Sequence, residues 1–234
     1  MKKFAIPALA ATAALGIAGT AVAVDGKQFL KVSVSPSKAG TKAKPANVKI
    51  KVDTGVVPAA TDKAFATTKT VLFFDKNLVF NNGKFPTCTQ TTVQRAEGDC
   101  PTGSKVGSGS AQGKALGQTQ NLKVSAFNGP NNQLLLHVTG SAPLQIDSVI
   151  VAKLSKGSGK YGSKLTVPIP KNLQEPVPGV FATLTSFVTS VKGTAKGVPY
   201  VGLKGCTGGK LNFAGDYTFT DGSKQSVTMT SKCS

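Results

Sequence analysis

The sequence predicts an all-β protein, an antiparallel β-sandwich with little helix. Three observations carry that expectation. Apolar residues recur with a period of two along most of the chain, turn residues interrupt them at short intervals, and four cysteines fall into two local pairs. The 234 residues are 40% hydrophobic, which excludes a wholly disordered chain in spite of a formal net charge of +18. The 26 glycines follow no strict period of three, which excludes a collagen-like rod.

The chain opens with a tripartite leader. Lys2 and Lys3 supply a positive start, Phe4 to Ala18 is apolar apart from Thr12, and Ala21-Val22-Ala23 is a small-x-small cleavage signal. Residues 1–23 therefore read as a secretory signal peptide and 24–234 as a secreted domain. No cysteine follows the apolar segment to take a lipid, and no apolar tail closes the chain, so no transmembrane segment is expected in the mature protein.

The strands follow in order. Leu30, Val32 and Val34 alternate with Lys31, Ser33 and Ser35, and Val48, Ile50 and Val52 alternate with Lys49, Lys51 and Asp53. Val71 to Phe74 is a continuous apolar run, which predicts a strand covered on both faces. Leu122, Val124 and Ala126 share one parity, as do Leu134, Leu136 and Val138, then Ile146, Ile150 and Ala152, then Leu165, Val167 and Ile169. Leu211, Phe213, Tyr217 and Phe219 lead into Asp221-Gly222, a dipeptide suited to a hairpin turn, and Val227, Met229 and Cys233 return. Ala59 to Thr68 and Thr89 to Gly98 are the places for a short turn or helix. Ser35 to Lys44 and the Gly- and Ser-rich Gly103 to Gly117 read as surface loops, with Val106 and Ala111 leaving an edge strand open in the second. One large sandwich is the first expectation. Two β-lobes, dividing within residues 153–179 where glycines and prolines are dense, are the alternative.

Cys88 lies near Cys100 and Cys206 near Cys233. An even count in an exported chain implies disulfides, and of three connectivities the nearest-neighbour one is expected, because each pair then brackets one local unit. Zinc would need tight pairs such as C-x-x-C, which are absent.

Three motifs can be joined. Phe85-Pro86-Thr87-Cys88 precedes Cys100-Pro101-Thr102-Gly103-Ser104-Lys105-Val106-Gly107. Ile169-Pro170-Lys171-Asn172-Leu173-Gln174 precedes Pro176-Val177-Pro178-Gly179. Cys206-Thr207-Gly208-Gly209-Lys210 precedes Asp221-Gly222-Ser223 and Cys233. Over about Leu30 to Cys233 the chain resembles a group of uncharacterised secreted β-rich proteins of high-GC Gram-positive bacteria. The resemblance implies secretion and two local bridges, and it brings no catalytic or binding residues with it.

Catalytic chemistry is sparse. A Ser–His–Asp mechanism would need His137, the single histidine, as its base, but its parity opposes Leu136 and Val138, and no G-x-S-x-G elbow is present. A pair of carboxylates for glycoside hydrolysis cannot be assembled from spacing alone; Asp53, Asp75 and Asp216 sit near strand ends or turns, and Asp147 falls on a polar face. Glu97-Gly98-Asp99 is too thin for calcium. Gly157 to Gly162 matches G-x-G-x-x-G, but the strand-like alternation after it predicts a hairpin loop rather than a dinucleotide site. No catalytic residue, metal ligand or cofactor is assigned.

The positive signal is lysine. Arg95 is the single arginine, and lysine is a hydrated point charge poorly suited to bidentate reading of phosphate or bases. Specific nucleic-acid recognition is therefore not expected. Loose binding to an anionic wall polymer, an acidic polysaccharide or an anionic lipid surface is, with Lys38, Lys42, Lys44, Lys49 and Lys51 as the densest contact set. The first functional expectation is a non-enzymatic exported protein acting at the cell surface or wall. The alternatives are a hydrolase whose acids converge only in the fold and an apolar-ligand carrier with a cavity between its sheets, the latter motivated by the Phe-containing stretches Val71 to Phe80 and Phe181 to Val191.

Overall fold

A computed structural model describes residues 26–58 and 66–234. The leader at 1–23 lies outside the described residues, as does most of the segment 59–68. The rest is dominated by strands: β1 (Gly26–Ser35), β2 (Ala46–Asn47), β3 (Lys49–Pro58), β4 (Thr67–Asp75), β5 (Leu78–Phe80), β6 (Lys105–Ala115), β7 (Gln118–Asn128) and β8 (Gln133–Gly140). They continue with β9 (Ile146–Lys156), β10 (Tyr161–Pro168), β11 (Thr183–Val191), β12 (Thr194–Ala195), β13 (Val198–Pro199), β14 (Val201–Leu203), β15 (Lys210–Phe219) and β16 (Lys224–Lys232). Two short helices, α1 (Gln90–Arg95) and α2 (Lys171–Gln174), interrupt them. No helix among the described residues is long and apolar enough to cross a membrane.

Eleven strands form one antiparallel sheet in the order β1-β3-β11-β6-β7-β8-β9-β10-β4-β15-β16. The expected all-β antiparallel class is what the structure shows, and the stacked layers are opposite walls of one sheet curled until β16 meets β1. The last seam is closed by side chains. Gln225 Nε2 donates to Gly26 O and Gln225 Oε1 accepts from Gln28 N, both at 2.9 Å, while Val32 N donates to Met229 Sδ at 2.9 Å. These contacts occupy edge groups that would otherwise be open to another strand. The stretch 153–179 contributes the end of β9, all of β10 and α2, and the sheet runs through it without a break.

The alternation expected from sequence is the inner face. Leu30, Val32, Val34, Ile50, Leu72, Phe74, Val124, Leu136, Val138, Ile150, Leu165, Val167, Leu211 and Phe213 are buried in one cluster. Phe73, on the opposite face of the Val71–Phe74 run, is half-buried against Tyr161, with ring centroids 5.4 Å apart.

Gly103 to Gly117 corrects an expectation. It is no loop or edge; most of it is β6, internal to the sheet between β11 and β7. Its glycines are there for close approach: a Cβ on Gly109 would lie 1.9 Å from Val188 O, and one on Gly107 2.3 Å from Ser190 O. Composition alone reads such a run as flexible linker. Ser35 to Lys44, by contrast, does leave β1 as irregular chain, and Gly157 to Gly162 does turn β9 into β10.

Register sorts the two ends of the barrel. One end carries the β6–β7 turn, the β8–β9 loop, the β15–β16 turn, the start of β11 and the end of β10. The other is closed by a small sheet, β2-β14-β5, which buries Leu78, Val201 and Leu203. Disulfide Cys206–Cys233 fastens the exit of this plug to the end of β16, and Ser234 exchanges backbone bonds with Ser37 and Ala39. Disulfide Cys88–Cys100 closes a loop around α1 that packs on the outer face of β7–β9, where Val93 meets Phe127, Leu135 and Val149. Both bridges are the nearest-neighbour pairs, and no described cysteine is free.

Candidate functional site

An eight-stranded barrel is about filled by its own side chains, and wider barrels leave a lumen. With eleven strands this sheet encloses a cavity of about 350 Å³. Its wall includes Ile50, Leu136 and Leu165 of the parity sets read from sequence, together with Leu72, Ala111 and Phe187. Phe80, Asn82 and Tyr200 reach it from the closed end. Leu116, Leu144, Leu173, Pro176 and Val177 ring it at the other, so the barrel has a floor and a mouth.

The floor is rigid. Tyr200 packs edge-on against Phe85, with centroids 4.9 Å apart, and its hydroxyl donates to Asn128 Oδ1 at 3.1 Å. Asn128 Nδ2 in turn donates to the carbonyls of Asn82, Phe85 and Pro86 at 3.0–3.2 Å. Burial pushes the Tyr200 phenol up, so it stays a neutral donor at physiological pH.

Among the described residues the lining contains no carboxylate, lysine, histidine or cysteine. Its polarity comes from a few neutral groups. Thr183 and Thr189, both on β11, are 9% and 6% exposed, and their hydroxyls have no hydrogen-bond partner among the described residues. Buried hydroxyls without partners are uncommon because each carries a desolvation cost. Lining residues run along β11 from Thr183 to Val191. At about 3.3 Å per residue and a tilt of about 40°, that span is roughly 20 Å deep. A cavity of this volume and depth is a narrow tube.

The two Phe-containing stretches named from sequence do reach the cavity, through Leu72, Phe74 and Phe80 and through Leu184, Phe187 and Val191, while the candidate lysines, histidine and acids lie elsewhere. Lys38, Lys42 and Lys44 sit exposed in the loop at the closed end, and Lys49 and Lys51 on the outer face of β3. His137 lies on the outer face under the α1 loop, 7% exposed. Its Nδ1 is 2.8 Å from Glu97 Oε1 and its Nε2 2.9 Å from Asp147 Oδ1, and Gln94 also reaches Asp147. Both ring nitrogens are taken, so neither is left to receive a proton from a nucleophile, and the ring occupies the gap between the two acids. Burial alone would raise the Glu97 carboxyl, but the Lys105 ammonium, 2.9 Å away, the Ser125 hydroxyl and the His137 contact together outweigh it and hold the group at about 2. Asp75 is 2% exposed and accepts from Asn77 N, Asn212 N and Asn212 Nδ2, a backbone-fixing role. Asp216 accepts from Ser226 Oγ.

Sequence reading did not find Leu116 or Val177; Thr183 and Thr189 fall within the Phe181 to Val191 stretch it named for a cavity, without being singled out. One signal was there for the first: Leu116-Gly117 joins β6 to β7 as a two-residue turn, and a leucine stands where asparagine or aspartate is the usual choice. Comparison with models of known families, with curated proteins and with solved structures finds no match to this chain.

Proposed function

We propose that this protein is an exported binder of apolar small molecules, holding a hydrocarbon-chain ligand inside the barrel. The carrying observation is the floored, open-mouthed tube of about 350 Å³ with an uncharged, predominantly apolar lining. Its volume falls in the range of roughly 300–1,000 Å³ typical of small-molecule pockets. The depth and narrowness suit one extended chain better than a fused ring system. The two unpartnered threonine hydroxyls offer a polar contact to an oxygen on the ligand. With no acid, base or thiolate facing the cavity among the described residues, the lining favours binding over hydrolysis. The leader and the two bridges support an extracellular location.

The test is titration of a fluorescent long-chain fatty acid into the protein and into Ala111→Phe, which places a ring in the tube from β6. Saturable binding of one probe per chain, lost in the variant while the melting transition survives, is expected. Absence of saturable binding contradicts the reading.

A second reading rests on a different surface. Lys38, Lys42, Lys44, Lys49 and Lys51 are all exposed, and none has a carboxylate partner among the described residues. That set supports loose, salt-sensitive attraction to an anionic wall polymer. Retention on isolated cell walls at low salt, with elution as salt rises, is the expected behaviour, and passage straight through at low salt removes it.

A further inference from the structure

The four large apolar side chains that the described residues expose are Val57, Leu116, Val177 and Phe181. All four lie at the mouth. Val57 is next to last in β3, Leu116 is the tip of the β6–β7 turn, and Val177 and Phe181 flank the chain that runs from α2 into β11. Elsewhere on the described surface no large apolar side chain is exposed to this degree. Scattered exposed leucines need no explanation, but a set confined to the rim of an apolar cavity does.

Leu116 sharpens the point. It is 82% exposed and has φ +48°, beside Gly117 at φ +75°. Asparagine tolerates that left-handed turn well, and leucine does not. Within the chain the side chain gains almost no burial to offset the strain. A residue that breaks two local rules at a cavity mouth points to a partner outside the chain.

Charge gives the partner's chemistry. The chain carries +18, and five lysines surround the mouth: Lys27 opposite Val57, Lys69 opposite Pro168, Lys114 opposite Thr183, Lys224 opposite Thr218, and Lys171 on α2. The described acids there are engaged within the chain: Glu175 accepts from Gly179 N and lies 3.8 Å from Lys171 Nζ, Asp221 accepts from Ser223, and Asp147, beside the β8–β9 loop, is held by His137 and Gln94, which leaves Lys27, Lys69, Lys114 and Lys224 without a carboxylate partner among the described residues. Apolar tips set among lysines match a surface with an apolar layer beneath anionic headgroups. The basic charge extends over the whole surface, so attraction is general and the apolar rim selects the orientation.

We infer that the mouth of the barrel docks on an anionic lipid bilayer, with Leu116, Val177 and Phe181 entering the interface and the rim lysines facing the headgroups. This rests on the binding function proposed above for its purpose, since docking would bring the tube over the layer from which a chain enters or leaves. Its test is separate.

Co-sedimentation with phosphatidylcholine vesicles, with and without phosphatidylglycerol, is compared for the protein, for Leu116→Asn, for Val177→Ser with Phe181→Ser, and for a variant with Lys38, Lys42, Lys44, Lys49 and Lys51 changed to Gln. The expected result is binding to the anionic vesicles, weakened about tenfold or more in both rim variants and on neutral vesicles, and largely kept in the lysine variant. No binding of the unaltered protein to anionic vesicles overturns the inference, as does binding that survives in the rim variants and disappears in the lysine variant. Fluorescent fatty-acid binding in vesicle-free solution is measured on the same samples. Fatty-acid binding without vesicle binding removes the docking face and leaves the cavity's function standing. Vesicle binding that depends on the rim, without fatty-acid binding, does the reverse. Leu116→Asn suits the turn, so its melting temperature separates loss of docking from loss of fold.

Discussion

The hydroxyls of Thr54 and Tyr217 lie 2.7 Å apart, joining β3 to β15 behind the seam where the sheet closes. Thr54 Oγ1 donates to Phe29 O at 2.7 Å and accepts from Gln28 Nε2 at 3.3 Å, so Tyr217 is the donor in the remaining bond. Burial pushes the Tyr217 phenol up, which keeps it a donor. Tyr217→Phe should therefore cost about 1 kcal/mol of stability. Gly215→Ala should cost more, about 1–3 kcal/mol, because its Cβ would lie 2.5 Å from the Tyr217 hydroxyl and 2.9 Å from the ring. Urea unfolding of the two variants checks the order; a harmless Gly215→Ala would mean that the ring is not fixed over this strand.

The α1 loop predicts an acid-sensitive contact. The Glu97 carboxyl has an ordinary value of 4.5 and is held at about 2 in the folded protein. A depressed carboxylate contributes stability above its unfolded value, and that contribution fades as pH falls from about 4.5 toward 2. Glu97→Gln should lower the melting temperature at neutral pH and converge on the unaltered protein near pH 2. A constant difference across that window would show that the carboxylate's charge is not what holds the loop.

The bridge that closes this loop carries its own prediction. Replacing Cys88 and Cys100 together by Ala should cost about 3 kcal/mol in the chain-entropy account of a loop with sequence separation 12. The barrel should persist, since the loop sits on its outer face. Hydrogen exchange should then rise in residues 88–100 before it rises in β7–β9, and simultaneous loss of protection in both would contradict a loop packed from outside.

Much of the barrel was legible because one face of each strand is buried and the other is wet, and that difference is written as a period of two. It serves Leu30 to Val34, Val124 and Ala126, and the Leu211–Cys233 hairpin equally well. It fails at β6, where Gly107 and Gly109 were selected by backbones pressing close rather than by burial of a side chain. The disulfides were legible because each joins near neighbours. The cavity was legible only as an alternative, on the stretches Val71 to Phe80 and Phe181 to Val191, because an inward Leu136 or Leu165 has the same signature whether it packs against another side chain or against a lumen. Strand number decides between those outcomes, and strand number depends on pairings such as β3–β11 and β10–β4 that lie far apart in the chain.

Thr189 separates a site from a packing defect. Thr189→Val keeps the shape and removes an unpartnered buried hydroxyl, so it should stabilise the ligand-free protein by about 1 kcal/mol. The same change should not weaken binding of a plain alkane and should weaken binding of an oxygen-bearing chain. Denaturation without ligand and titration with both probes check the pair; destabilisation would show that the hydroxyl has a partner.

The most direct measurement of the central claim is native mass spectrometry of the protein after incubation with a long-chain fatty acid, beside Ala111→Phe. A tube open at one end predicts a single adduct per chain in the first sample and none in the second. Equal adduct levels in both, or no adduct in either, would contradict a binding cavity inside the barrel.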